Sequence, residues 1–441
     1  MWFKKKKEVP SKKYFSDEWI ASWKQALTES EHYRIKAKEW NASVLLRMNP
    51  PSATLNKKSA VGFYLDLQYG ECHELRYAVE KDLDLADIIL TGDENTWLTL
   101  IEKKKDPAMM IMKGSLKLEK GSLVMLSNQK EAARALLQTA PSYQKEELDE
   151  PYISDKLDSI NIRKEHTSFK TTTGGLDFDS YPMQLFQKAK KFGIWDPADI
   201  SFERDKEDWE KLSDDEKEII IHLSALFMAG EEAVTLDLLP LIQTISKEGR
   251  LEEEIFLTSF LWEEAKHTEF FSRFVNDVMI TRPDFERFHK PFYKKLFYNQ
   301  LPEDLNRLYT DHSPLSQLKA SGTYNMIVEG TLAETGYEAY HKMLRENNLL
   351  PGLLEGITKL KQDESRHIAY GLYLINRLLN ENPDCRESFE KHLETLLDDA
   401  TNVIHEIFEP YNVVPFGLEK EWFLNFAIKQ FQHRIVKLGI Y

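Results

Sequence analysis

A chain of 441 residues is longer than one ordinary hydrophobic core can organise, which predicts two domains with a linker between them. With 42% hydrophobic and 30% charged residues it has the composition of a globular protein, and a net charge of −15 argues against nucleic acid as the main partner. Its two cysteines, Cys72 and Cys385, form neither a disulfide framework nor a thiolate metal motif, which fits a reducing compartment and predicts a cytoplasmic protein.

The chain opens on MWFKKKK, which is no signal peptide because no apolar region follows the lysines. It reads as a solvated tail rather than a membrane anchor, and no later run approaches the roughly 20 uninterrupted apolar residues of a membrane span. Stable membrane insertion is therefore not expected. Residues 14–48 read as helical, with Trp19, Trp23, Leu27, Tyr33, Ala37 and Trp40 towards one side. From residue 60 the period changes. AVGFYLDLQ and CHELRYAVE are β-rich runs flanking Tyr69-Gly70-Glu71, which predicts a hairpin. ADIILTG (86–92) is a further strand, after which Asp93 caps a helix carrying Trp97, Leu98 and Ile101. DPAMMIMKG reads as a short Met-rich helix, SLKLEKG (115–121) as an alternating strand, and a last helix runs from about Ser127 to Thr139. The expectation is an α+β domain over residues 1–140. His73 has no acid or nucleophile partner in this pattern and reads as a surface or hydrogen-bonded histidine. Met109, Met110 and Met112 are adaptable side chains of the kind that line promiscuous pockets or fill cores.

The run ADIILTGDENTWLTLIEKKKDPAMMIMKGSLKLEKGSL resembles the C-terminal half of a sterol carrier protein type-two domain, and the likeness extends over about residues 15–140. The resemblance implies an apolar tunnel for a lipid tail, acyl chain or sterol. It carries over no individual binding residue.

Residues 141–170 are rich in Lys, Glu, Asp, Ser and Thr, contain Pro141 and Pro151, and read as a linker. TTTGGLDFDSYPM then leads into a domain over 171–441 that is almost wholly helical. Four stretches of it carry acids on otherwise apolar faces. Ile220, Leu223, Phe227, Glu231, Val234 and Leu238 form the first, and Leu257, Phe260, Glu264, His267, Phe271 and Phe274 the second. Leu315, Leu318, Met326, Glu329 and Gly336 form the third, and Leu353, Ile357, Leu360, Glu364, His367, Gly371 and Leu378 the fourth. An unpaired ionised Glu on such a face is costly. Four acids and two histidines in the order Glu, Glu-x-x-His, Glu, Glu-x-x-His are the ligand set of a dinuclear carboxylate site in an all-α, ferritin-like four-helix bundle. Two divalent metals balance the four carboxylates. The halves Glu231/Glu264/His267 and Glu329/Glu364/His367 form a weak internal repeat. Glu231 rather than Glu232 is the first ligand, because only Glu231 shares a stripe with Val234: three residues turn a helix by about 300° and four by about 400°. Carboxylate and imidazole ligands suit iron and manganese, whereas the missing thiolates would have favoured zinc or iron–sulfur chemistry.

GEEAVTLDLLPLI (230–242), WEEAKHTEFF (262–271), Tyr324 five residues before Glu329, and DESRH (363–367) together resemble the ligand-binding oxidases related to the ribonucleotide reductase small subunit. The resemblance runs from about Thr171 to the C-terminus. It implies one Mn and one Fe, with two irons as the alternative, and O2 as co-substrate. It also implies a long-chain fatty acid at the metals and an ether cross-link between a Val and a Tyr. Carried over, Glu231, Glu264 and His267 hold manganese, and Glu329, Glu364 and His367 hold iron, with at least one Glu bridging. Val234 Cβ and Tyr324 Oη become the linked atoms, and Tyr337 is a phenol beside the ligands or a packed tyrosine. On a regular helix Tyr324 lies about 140° away from Glu329, so a π-bulge or the reach of the phenol has to bring it in.

The resulting expectation is a two-electron oxidase of a lipid-like substrate supplied by the fused lipid-binding domain, forming a homodimer through the helical domain. One alternative is a lipid-binding or sensing protein whose metals only oxidise the chain itself. Another is a reductase small subunit. Those that store a tyrosyl radical carry Tyr four residues after the first His, where this chain has Phe271; manganese–iron subclasses with Phe there are not excluded.

Overall fold

A computed structural model of the chain describes residues 14–50, 55, 59–102, 107–112, 114–122, 126, 129–142, 168–280 and 282–440. The lysine-rich N-terminal tail and nearly all of the linker, Pro151 included, lie outside the described residues, as do the side chains of Met109 and Met112. The chain divides into two compact units, one over residues 1–152 and one over 153–440.

The first unit is built on a five-stranded sheet: β1 (Asn41–Met48), β2 (Gly62–Gln68), β3 (Glu71–Ala78), β4 (Ile88–Gly92) and β5 (Lys117–Lys120), in the order β3-β2-β1-β4-β5. β1 pairs antiparallel with β2 and parallel with β4. The hairpin forms where the turn chemistry places it, with both Tyr69 (φ 52°) and Gly70 (φ 88°) left-handed, as a two-residue hairpin turn requires. A Cβ on Gly70 would lie 2.5 Å from the carbonyl oxygen of Arg34, so glycine is required there twice over. Asp93 caps its helix as expected, its Oδ1 accepting from Thr96 N at 2.7 Å.

One expectation is corrected. The helical reading of 14–48 holds for α1 (Asp17–Glu29) and α2 (Glu31–Lys36), but residues 41–48 form β1, the central strand. A short apolar run such as ASVLLRM has no decisive period of its own, and pairing with strands distant in sequence settles it. The remaining helices of this unit are α3 (Asp82–Leu85), α4 (Glu94–Glu102), α5 (Pro107–Met112) and α6 (Lys130–Gln138). Alternation along β1 sends Val44 and Leu46 into the main core with Trp19, Trp23, Phe63 and Trp97, and Leu45 into a small cluster with Ala78 and Ile89 on the other face.

Arg76 on β3 holds buried Asp82 through two hydrogen bonds of 2.7 and 3.0 Å, and this pairing keeps the Asp82 carboxyl below the usual range. A depressed carboxylate contributes stability that is present above its unfolded pKa of about 4 and is lost as pH falls through the folded value. Arg76→Met is expected to weaken that acid-side pH dependence at a cost of about 1 kcal/mol, since Arg76 is partly exposed, water screens the pair and Val79 N still donates to Asp82. Thermal unfolding of the first unit as a function of pH, followed in the full chain, checks this.

The second unit is helical. Its principal elements are α7 (Tyr181–Phe192), α8 (Asp214–Asp237), α9 (Leu251–Phe274), α10 (Gly322–Ala333), α11 (Glu334–Tyr340), α12 (Pro351–Glu381), α13 (Arg386–Phe408) and α14 (Lys420–Lys437). α8 starts at a capping box in which Ser213 Oγ accepts from Glu216 N and the Glu216 carboxylate accepts from Ser213 N at 2.8 Å. α12 starts at Pro351, and buried Asp205 accepts from the free amides of Gly352 and Leu353 at 2.9 and 2.7 Å. α8, α9, α10 and α12 carry the four acid-bearing stripes, and together they form the core of a ferritin-like bundle. Among the described residues, only the stretch Asp214–Lys247 is long and apolar enough to cross a membrane, and half of that window is buried inside the protein. This is how a core helix passes the same measure, since it also carries Glu231 into the bundle.

α10 is π-helical throughout its 12 residues. Its i→i+5 hydrogen bonding places residues five apart nearly one above the other, which returns Tyr324 to the Glu329 side. Gly371 on α12 permits this packing, because a Cβ there would lie 2.2 Å from the side chain of Asn325.

Candidate metal centre

Each of the four core helices delivers its acid to one point. Two overlapping groups of side chains place their ligand atoms within 4.8 Å of one another: Glu231, Glu264, His267 and Glu364, and Glu264, Glu329, Glu364 and His367. Glu264 and Glu364 belong to both groups, so the arrangement has two shared carboxylates where the sequence asked for at least one. All six side chains are buried. Glu232 is exposed, as its 100° offset from Glu231 requires.

His267 Nδ1 lies 3.4 Å from Glu231 Oε2 and Glu264 Oε2 and 3.3 Å from Glu364 Oε1, and His367 Nδ1 lies 3.3–3.6 Å from Glu264, Glu329 and Glu364. Both imidazoles therefore turn the same nitrogen inward. Their Nε2 atoms face outward onto acids that the sequence reading did not single out. His367 Nε2 meets Glu263 at 2.9 Å, and His267 Nε2 meets Asp363 at 3.3 Å. The acid immediately before each Glu-x-x-His thus reaches across to the histidine of the opposite helix. The signal was present in sequence as the paired acids Glu263-Glu264 and Asp363-Glu364. Arg366 bridges Glu263 and Asp363, and Lys266 and Trp195 Nε1 also bond Asp363, at 3.1 and 2.8 Å. Metal-bound histidines generally carry such a carboxylate on the far nitrogen, where it fixes ring and tautomer. Gly193 ends α7 against this cluster, and a Cβ there would lie 2.0 Å from Glu263 Oε1.

Burial raises the Glu231 carboxyl to about 8 and holds Glu329 well above the carboxylate range, reinforced for Glu329 by the charge of Glu364. Burial works against both imidazolium forms, yet the surrounding carboxylates hold His267 and His367 well above the ordinary histidine value. Glu264 Oε2, Glu329 Oε1 and His267 Nδ1 are buried with no hydrogen-bond partner. Orphaned ligand atoms that converge from four helices fit metal ions.

Tyr324 Oη donates to Glu264 Oε1 at 3.1 Å and lies 3.3 Å from the carbonyl oxygen of Val234. Tyr337 is buried, with its hydroxyl 3.5 Å from Glu231 Oε1 and 3.4 Å from Glu364 Oε1, and its ring stacks on Phe227. Phe271, the position of the radical tyrosine in tyrosyl-radical small subunits, is fully buried and stacks on Phe227 at 5.4 Å. An apolar cavity, partly open to solvent, has Glu231, Glu329 and Glu364 in its lining.

Residues 183–440 match the ribonucleotide reductase small chain family, and residues 23–130 match the SCP-2 sterol transfer family. Among solved structures, the chain is similar to an R2-like ligand-binding oxidase variant with an anaerobically reconstituted Mn/Fe cofactor. The identity is 40% and the TM-score 0.59, over 63% of this chain and all of that one. It is similar also to a second variant with an aerobically reconstituted Mn/Fe cofactor, at 39% identity and a TM-score of 0.60, over 62% of this chain and 98% of that one. The buried carboxylate–histidine cluster and these relatives make the helical unit a dimetal oxidoreductase. The chain belongs to the ribonucleotide reductase small-chain family, as a relative of the R2-like ligand-binding oxidases that carries an SCP-2 sterol transfer family domain ahead of it.

Proposed function

We propose that this protein is an O2-activating manganese–iron oxidase that binds a long-chain fatty acid at its metals, links Val234 to Tyr324, and oxidises a lipid-like substrate. The observation that carries this reading is the apolar cavity that has three of the buried carboxylates in its lining. Such a lining suits a hydrocarbon tail with an anionic head at the metals. Glu231, Glu264, His267 and Glu364 would hold one metal, and Glu264, Glu329, Glu364 and His367 the other. A bound pair of redox metals supplies the one-electron steps by which O2 is reduced.

The chain's own groups prepare the cross-link. Tyr324 Oη–H points at Glu264 Oε1, which is placed to take the phenolic proton. Forming the ether removes one hydrogen from Val234 Cβ and one from Tyr324 Oη. Those two electrons and two protons would take one O2 to hydrogen peroxide, or supply half of the four electrons needed to reach water. Phe260 is fully buried and stacks on the His367 ring at 3.6 Å, which shields that side of the cluster from water. The N-terminal domain, by its family, would bind the lipid and present it. A tether keeps the two units at near-millimolar effective concentration. The half-buried free thiols Cys72 and Cys385 fit a cytoplasmic setting.

The test is peptide mass spectrometry with metal analysis on protein loaded with Mn and Fe, before and after exposure to O2. The expected result is near-equal Mn and Fe and a species lighter by two hydrogens that joins the Val234 and Tyr324 peptides. Tyr324→Phe is expected to abolish the joined species while leaving metal content within about twofold, because the phenol is not a ligand. Unlinked peptides with iron alone would return the chain to the broader di-iron class.

A further inference from the structure

A stacked and hydrogen-bonded set of three rings, Tyr293, His289 and Tyr298, leads from the cavity to the surface. All three come from one segment: the short helix Pro291–Lys294, the π-helical Lys295–Gln300 that continues it, and His289 just ahead. The Glu406 carboxylate anchors this segment by accepting from the amides of Phe292 and Tyr293 at 2.9 and 3.2 Å. Tyr293 is the inner ring. It is buried, lines the cavity together with Glu231, and donates to the carbonyl oxygen of Leu226 at 2.6 Å. Its hydroxyl comes within 3.9 Å of where a Cβ on Gly230, the residue before Glu231, would stand. The buried His289 ring stacks on the Tyr293 ring, with centroids 4.9 Å apart and planes 22° from parallel. Tyr298 is the outer ring, 51% exposed, with its hydroxyl 2.7 Å from His289 Nδ1.

The partners decide the histidine tautomer. His289 Nε2 faces the carbonyl oxygen of Ala225 at 3.3 Å, and a carbonyl only accepts. Nε2 therefore carries the hydrogen of the neutral ring, and Nδ1 presents its lone pair to the Tyr298 hydroxyl. Burial pushes His289 below the ordinary histidine value, which favours the neutral ring near pH 7. Burial, with the charges of Glu286 and Glu232, pushes the Tyr298 phenol up, so it keeps its proton until the histidine takes it. We propose that Tyr298 is a redox-active tyrosine with His289 as its proton acceptor, and that the Tyr293 ring carries electrons between this pair and the metal centre. The proposal rests on the O2-activating reading above and adds a point on the surface where electrons enter. In the first step Tyr298 gives one electron inward to the metal pair that O2 has oxidised. Its O–H bond breaks and the proton passes to His289 Nδ1, which leaves a neutral phenoxyl beside an imidazolium. A one-electron donor in solution then reduces the phenoxyl, which takes the proton back from His289. The net result is one electron moved from solution to the metals.

The test uses the full chain in two states. In metal-free protein carrying nitrogen-15 histidine, nuclear magnetic resonance is expected to show His289 as the neutral Nε2–H tautomer, with an Nδ1 signal that moves in Tyr298→Phe. In protein loaded with Mn and Fe, mixed with O2 and rapidly frozen, electron paramagnetic resonance is expected to show a tyrosyl radical. Its signal should narrow on ring-deuterated tyrosine and be lost in Tyr298→Phe, a substitution that removes one hydroxyl from a half-exposed ring. His289→Gln can accept the same hydrogen bond but not the proton, and is expected to slow the appearance of the radical about 100-fold. A radical undiminished in Tyr298→Phe, an unchanged rate in His289→Gln, or a His289 proton on Nδ1 would overturn the pair. A Val234–Tyr324 link formed with no tyrosyl radical would overturn it as well and leave the oxidase standing. No radical, no link and no O2 uptake would overturn both.

Discussion

Replacing Glu329 by glutamine is expected to cost the protein one metal without costing it the fold. In the metal-free state burial, reinforced by the charge of Glu364, holds the Glu329 carboxyl well above the carboxylate range, and Asn325 Nδ2 donates to its Oε2 at 2.9 Å. A glutamine has the shape of the protonated acid that burial favours and can keep the bond to Asn325, so metal-free stability should change by less than about 1 kcal/mol. The loaded protein differs. Glu329 Oε1 is buried with no hydrogen-bond partner, faces His367 Nδ1 at 3.6 Å where a metal would sit, and an amide oxygen there would bring no charge to the metal. The group containing His367 then loses one of its three carboxylates. Metal content should fall towards one ion per chain, the thermal stabilisation gained on loading should shrink, and metal-dependent O2 consumption should fall by more than about 100-fold. Two unfolding curves, with and without metal, together with elemental analysis, check this. A loaded protein that still holds both metals and its full thermal shift would remove Glu329 from the ligand set.

Arg366→Met is expected to have the larger effect on stability. Arg366 is 4% exposed and bridges Glu263 and Asp363, the two carboxylates that hold the outer nitrogens of His367 and His267. Methionine leaves Glu263 with the His367 ring and Asp363 with Lys266, Trp195 and the His267 ring, one cation fewer between two buried carboxylates. Removing one partner of a buried charge cluster costs about 3–5 kcal/mol. Both imidazoles lose part of what orients them, so metal affinity should also drop about 10–100-fold. Arg366→Lys should recover less than half of either loss, because an ammonium cannot reproduce the planar fork that spans two carboxylates. Denaturant unfolding and metal titration give the two readings. Unchanged metal affinity in a destabilised Arg366→Met protein would make the arginine a matter of packing alone.

Both variants turn on how the site is assembled, and here the sequence and the fold contributed differently. Helical periodicity was enough to place Glu231, Glu264, His267, Glu329, Glu364 and His367 on apolar stripes, and four ionised carboxylates on such faces need positive charge to balance them. The same arithmetic predicted a departure from regular helix at Tyr324, and the fold meets it with twelve residues of π-helix. The hairpin at Tyr69-Gly70 and the Asp93 cap were likewise legible, since turns and caps are decided within a few residues.

What the sequence could not decide were interactions between segments far apart in the chain. Residues 41–48 became the central strand through pairing with β2 and β4, against a local pattern that read as helix. Glu263 and Asp363 sit one residue before the ligand acids, where a single helix would be expected to turn them off the stripe. Only the antiparallel packing of α9 against α12 lets each reach the other's histidine and share Arg366. The cavity is of the same kind, because its lining comes from α8, α10, α11, α12, α13 and α14 together. The sequence alone determined which residues could carry metal, since that depends on local spacing and the price of a buried charge. The tertiary structure decided which carboxylates are shared, which acids hold the histidines and which helices line the cavity, since those depend on distances between helices that no local pattern encodes.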